Sequence, residues 1–224
     1  MVRFPILALA VCASLQAETV VVLPFFNHAK SHNLDWIGES IAEAVQDSLS
    51  SEGLLVLSRE DRLEAYRRQS LRAGAEITHA SIIKVGESLD ASEVVYGYYE
   101  LLPPGAENAQ SRGSLRVTAR IIDLKHTRQS SSFSEMGALE DLAQIQARVG
   151  WQVLDTLSPK TAPREADFLK LRAPVRVDAV ENYVRGLIAA TPEQRQRFFL
   201  QAARLDEHFS QAFSACLRHD RHSQ

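Results

Sequence analysis

The chain has 224 residues, with 25 Lys and Arg against 28 Asp and Glu and a formal charge of −3. Domains commonly run to about 100–200 residues, so this length holds one fair-sized domain plus a smaller element. It carries no polybasic block and no acidic tail, which argues against nucleic-acid binding.

Residues Met1 to Ala17 place Arg3 ahead of the apolar run Phe4-Pro5-Ile6-Leu7-Ala8-Leu9-Ala10-Val11, followed by small and polar residues. This is the pattern of a secretory signal peptide, residues 1–17. Its apolar core is about half of the ~20 residues that a spanning helix needs. Cleavage after Ala17 puts Leu15 at the minus-three position, and cleavage after Ala13 puts Val11 there. A lipoprotein reading through Leu9-Ala10-Val11-Cys12 sets bulky Val11 where small residues are usual. Removal of Cys12 with the leader leaves Cys216, so no disulfide forms within the chain. Cys216, among Ala212, Phe213, Ala215 and Leu217, reads as a small buried hydrophobe.

The run Val20-Val21-Val22-Leu23-Pro24-Phe25-Phe26 reads as a buried strand, and the polar stretch Asn27 to Asn33 as a loop. From Asp35, Ile37, Ile41, Val45 and Leu49 recur at four-residue steps, which is helical spacing. Glu39, Glu43 and Asp47 form an acidic stripe on another face, expected to be solvated. After Gly53, Leu54 to Leu57 reads as a short strand, and Ser58 caps a helix with Asp61 three positions on. Thr78 is a second cap, ahead of Ile82, Ile83, Val85, Gly86 and Leu89.

Glu93 to Leu101 is rich in β-branched and aromatic residues, and Leu115 to Asp123 alternates apolar with polar. With the turn-rich connection from Pro103 to Gly113 they make an antiparallel hairpin, followed by a third strand, Ser130 to Met136. Leu139, Leu142, Ile145, Val149, Val153 and Leu157 then mark a long amphipathic helix that stops before Pro159. Proline and charge mark 159–178 as a linker. Beyond it the pattern is helical: Val180, Tyr183, Val184 and Leu187, then Thr191-Pro192-Glu193 opening a helix with Phe198 and Phe199 inward, then Phe209, Ala212, Phe213 and Cys216. The expected fold is α/β: a mixed sheet of about five strands covered by helices, then an α-helical segment.

Leu23-Pro24-Phe25, Asp35-Trp36-Ile37-Gly38, Val56-Leu57-Ser58-Arg59 and Ser88 to Gly97 stand in the order found in TolB-like amino-terminal domains. The segment Val20 to Pro159 resembles that family, which is related to the FlgO flagellar and CsgG curli-secretion families. The histidine-containing loop His28 to His32 departs from the serine, glycine and proline usual there. Ala202-Ala203-Arg204-Leu205-Asp206 and Phe209 to Phe213 resemble tetratricopeptide repeat sequence. One helix pair cannot bury its inner face alone, so the expectation is that these helices pack on the sheet domain or belong to a longer repeat array. The expected division is 18–158 for the α/β domain and 179–224 for a partial repeat-like segment.

Candidate chemistry is thin. His28, His32 and Asp35 approach a zinc spacing but lack a third strong ligand, and His208, His219 and His222 read as solvated. No glycine-rich loop follows the first strand, and there is no Gly-x-Ser-x-Gly elbow. No catalytic, cofactor or metal residue is assigned. The aromatic residues Phe26, Tyr98, Tyr99, Tyr183 and Phe198 are candidate partner contacts, with alternation turning one of Tyr98 and Tyr99 outward. The leader and the resemblance imply a non-catalytic exported envelope protein, periplasmic or beyond, that binds protein partners. They imply no cofactor and no membrane span after cleavage. The rival readings are an oligomerising part of an outer-membrane secretion apparatus and, third, an enzyme acting on a small ligand.

Overall fold

Four β-branched or apolar residues in a row build the first strand, β1 (Thr19–Val22), and its side chains are buried on both faces. In a computed structural model the chain is described for residues 18–28, 31–72, 74–103 and 112–222, with side chains to 216. The leader with its cleavage sites and Cys12, the centre of the connection after Pro103, and the side chains of Leu217, His219 and His222 lie outside the described residues.

β1 does not run on to Phe26 as its apolar composition suggests. Pro24 has no N–H to give a ladder, so the chain steps out at Leu23–Phe25 and returns as β2 (Phe26–Asn27) beside the strand formed by Glu93–Leu102. At the step, the Phe25 N–H donates to the Gly38 carbonyl at 3.1 Å instead of to a strand. Next come a 3₁₀ turn (His32–Leu34) and α1 (Trp36–Ser51). Ile37, Ile41, Val45 and Leu49 of α1 are wholly buried, as their spacing predicts. β3 (Leu55–Val56) and α2 (Arg59–Arg68) follow, and Ser58 and Asp61 form a full capping box. Thr78 caps α3 (His79–Ser88) by accepting from the Ser81 N–H.

β4 (Glu93–Leu102) and β5 (Ser114–Asp123) pair antiparallel along their whole length, Glu93 opposite Asp123 and Leu102 opposite Ser114. The third strand of the meander begins later than its sequence suggests, as β7 (Phe133–Ala138), with the two-residue β6 (Arg128–Gln129) before it. Both pair with β5, and the sheet order is β3-β1-β4-β5 with β6 and β7 on the far side. β1, β2 and β3 run parallel to their neighbours, whereas β4 to β7 are antiparallel. The fold is thus α/β with a mixed sheet, as expected. To the five strands expected it adds β2 and β6, two-residue strands too short to show a period.

The two faces bury separate cores. Val20, Val22, Val95, Tyr99, Leu115 and Val117 meet α1 and α4 (Leu142–Leu157) on one side. Val21, Leu23, Val94 and Ile122 meet Ala65, Tyr66, Ile82 and Val85 of α2 and α3 on the other. Residues 159–178, read from composition as a linker, contain α5 (Glu165–Lys170), whose Phe168 is wholly buried in the α1–α4 core under the guanidinium of Arg172. The last helices, α6 (Val177–Ile188), α7 (Pro192–Leu205) and α8 (Ser210–His222), add Val180, Val184, Ala202 and Ala212 to that same core, with Phe209 from the turn before α8.

The acidic stripe of α1 departs from expectation, since only Asp47 is exposed. Glu39 is buried and accepts from Arg59 Nε at 2.6 Å and Arg62 Nη2 at 2.5 Å. α2 lies across that face, and periodicity within α1 says nothing about which charges a second helix will bring.

Candidate functional site

Two sets of aromatic side chains end up on opposite sides of the sheet. Alternation along β4 sends Tyr96, Tyr98 and Glu100 to the face of α2 and α3, and Gly97, Tyr99 and Leu101 to the other. The register carries the first set across the sheet: Arg120 stands opposite Tyr96, Thr118 opposite Tyr98 and Arg116 opposite Glu100. On β7, Ser134 and Met136 continue the rows of Thr118 and Arg116. β2 sets Phe26 beside Tyr98.

α2 and α3 cover the start of this face, and the side chains beyond them reach solvent. Met136 is 56 % exposed, and Phe26 and Tyr98 are half-buried. Arg116 Nη1 and Glu100 Oε2 pair at 3.6 Å beside them. His28 stacks on the Tyr98 ring at 4.5 Å between centroids, and Phe26 meets His28 edge-on at 5.2 Å. His28 is therefore part of an aromatic stack. His32 instead turns away to Asp35, at 3.3 Å.

Between this stack and α2–α3 lies a cleft of about 320 Å³, floored by Leu23, Phe25, Tyr66 and Ile82 and walled by Tyr96, His79 and Arg120. Two supports lie beside it. On the α1 side of the sheet, Gly97 lets the Phe25 ring lie against β4, because a Cβ there would come within 2.5 Å of that ring and 2.1 Å of the Thr118 carbonyl oxygen. Arg62, 1 % exposed, donates from Nη1 to the Val22 carbonyl at 2.7 Å while holding Glu39, and so ties α2 to the end of β1. Burial pushes the Tyr66 hydroxyl up to about 12.

Tyr99 is corrected by the fold. It is fully buried, its hydroxyl donates to the Leu34 carbonyl at 2.7 Å, and burial together with the nearby Asp35 charge pushes its pKa up. It anchors the approach to α1, and Tyr98 is the outward partner of the pair. Tyr183 packs against Phe199 and Phe209, at 5.7 and 5.2 Å, where α6, α7 and α8 meet. Phe198 is half-buried on α7 beside the buried Phe199. These helices reach the sheet through α1, on the face opposite Tyr98. The five aromatic candidates therefore divide into a sheet-face pair, Phe26 and Tyr98, a core residue, Tyr99, and a helical pair, Tyr183 and Phe198.

Sequence reading passed over Tyr96, His79, Arg120 and Met136. The two-residue step from Tyr98 could have found Tyr96, but Arg120 and Met136 join the face only through cross-strand register. Among the described residues no group of three His, Cys, Asp or Glu is placed to hold a metal ion, and no helix is long and apolar enough to cross a membrane.

No family model matches the chain, and no curated protein matches it. Among solved structures it is similar to the C-terminal domain of LpoB from Salmonella enterica, at 14 % identity and TM-score 0.41 over 54 % of this chain and 82 % of that one. It is similar also to lipoprotein GNA1162 from Neisseria meningitidis, at 16 % identity and TM-score 0.43 over 63 % and 94 % of the two chains. TolB from Acinetobacter baumannii matches at 14 % identity and TM-score 0.41, over 64 % of this chain and 29 % of that one. At these identities and TM-scores the likenesses carry no argument about function.

Proposed function

We propose that this chain is a protein-interaction module of the bacterial cell envelope, exported by its leader, and that it docks a partner protein on the open part of the sheet face. The observation that carries the reading is one open sheet face that sets Phe26 beside Tyr98 and, two strands further on, Met136, with the paired charges of Arg116 and Glu100 between them. Aromatic residues, Met and Arg are the residue types that interfaces favour. A photo-crosslinking residue in place of Tyr98 is expected to capture a discrete protein from envelope fractions. The same residue in place of Lys160, an exposed turn position, is expected to capture none. Identical patterns from the two positions would overturn the reading.

A second reading, self-assembly into a larger envelope structure, is favoured by β7. This six-residue strand pairs with β5 along one edge at the margin of the sheet, and an edge strand is a template for another chain. Sedimentation separates the two: a discrete multimer supports assembly, and a monomer supports the docking module. The TolB-like and repeat-like resemblances belong to this proposal as well, with α6 to α8 as a helical scaffold against the sheet domain.

A further inference from the structure

The cleft beside the docking face has the make-up of a site for a small ligand. Its volume of about 320 Å³ lies at the lower end of the ~300–1,000 Å³ usual for such sites. One wall is the stack of His28 on Tyr98, at 20° between ring planes. Tyr96 is two residues along the same strand face, with His79 edge-on to it at 6.5 Å. Ring faces of this kind favour a flat apolar body.

The charges in the cleft are unequal in position. Among the described residues that line it, Arg120 is the one Arg or Lys and Glu76 the one carboxylate, and Glu76 is exposed. Arg120 is half-buried and, among the described residues, has no ion-pair partner. Arg116, on the same strand and face, has Glu100. A guanidinium taken partly out of water gains most from a carboxylate, which its planar fork matches with two parallel hydrogen bonds. We infer that this cleft binds a ring-bearing organic carboxylate, its anionic group on Arg120 and its ring against Tyr96 and the Tyr98–His28 stack. The inference goes beyond the protein-docking proposal and does not need it, although Tyr98 serves both.

The test is an NMR titration of the purified protein with phenylacetate, phenylacetamide and acetate, following the backbone amides of Tyr96 to Tyr98 and Thr118 to Arg120. Phenylacetate is expected to give saturable shifts at those positions, with the neutral amide and the ringless acetate each at least ~10-fold weaker, a loss equal to one decade in Kd. Arg120→Gln, checked for a dispersed spectrum, is expected to lose about the same factor for phenylacetate and nothing for phenylacetamide. The comparison of the three probes on the unaltered protein needs no variant to fold. Equal binding of acid and amide, saturation centred on other residues, or no saturable shift would each overturn the site. None of these outcomes alters the cross-linking result at position 98, so the two proposals fail separately.

Discussion

Glu43 on α1 shows how one buried carboxyl can set the response of the fold to pH. Its Oε1 is buried without a hydrogen-bond partner, and burial, reinforced by the charge of Glu39 one turn away, pushes its pKa up to about 7. Arg62 and Arg59 of α2 and Asp47 of α1 are the other charges acting on it. The ordinary value is 4.5, so between about pH 4.5 and 7 the unfolded chain has released a proton that the folded chain keeps. Stability therefore falls as pH rises through that window and is level above it. At ~1.4 kcal/mol per pKa unit, Glu43 accounts for at most about 3–4 kcal/mol of the fall. Glu93, pushed up to about 7 by burial beside Asp123 and Glu18, adds a loss of the same sign. Glu43→Gln should shrink the stability difference between pH 5 and pH 8 by about 1–3 kcal/mol in urea unfolding, and an unchanged difference would refute this account.

At the scale of elements, two motifs that sit apart in the sequence prove to be one contact. Leu23-Pro24-Phe25 and Trp36-Ile37-Gly38 pack on each other where the chain leaves β1. A Cβ on Gly38 would stand 2.0 Å from the Phe25 carbonyl oxygen. That oxygen is backbone, which cannot swing aside like the end of a side chain. Gly38→Ala must therefore lift α1 from the strand crossing, and overpacking of this kind costs about 1–3 kcal/mol. A loss near the upper end is expected in urea unfolding, with altered chemical shifts reaching Phe26 and Tyr98, because β2 starts from this crossing. A variant as stable as the parent would show that the crossing relaxes freely.

For the whole molecule, the question is whether the helical segment folds with the sheet or apart from it. Arg172 Nη2 donates to Ser51 Oγ at 3.1 Å, Gln211 Nε2 to Asp47 at 3.0 Å, and Trp151 Nε1 to the Pro163 carbonyl at 3.0 Å. Together with Phe168 they bind residues 159–216 to α1 and α4. The expectation is one cooperative transition, with far-UV dichroism and tryptophan fluorescence coincident on heating. Phe168→Ala should destabilise the molecule as a unit by about 3–5 kcal/mol, the cost of an aromatic deletion in a packed core. Two resolved transitions, only one of them moved by the variant, would mean that the helices fold independently.

Local chemistry determined the elements. The spacing of Ile37, Ile41, Val45 and Leu49, the caps at Ser58, Thr78 and Thr191, and the alternation of Leu115 to Asp123 each act within one segment, where side-chain period and capping groups suffice. They bring the mixed α/β class with them. What joins segments was left to the tertiary structure: the burial of Glu39 by Arg62, the choice of Tyr98 over Tyr99 as the outward ring, the seating of Phe168, and the cleft with Arg120 opposite Tyr96. Those features depend on register between strands and on which helix lies over which face. Both are settled by the packing of residues far apart in the chain, and no single segment encodes them.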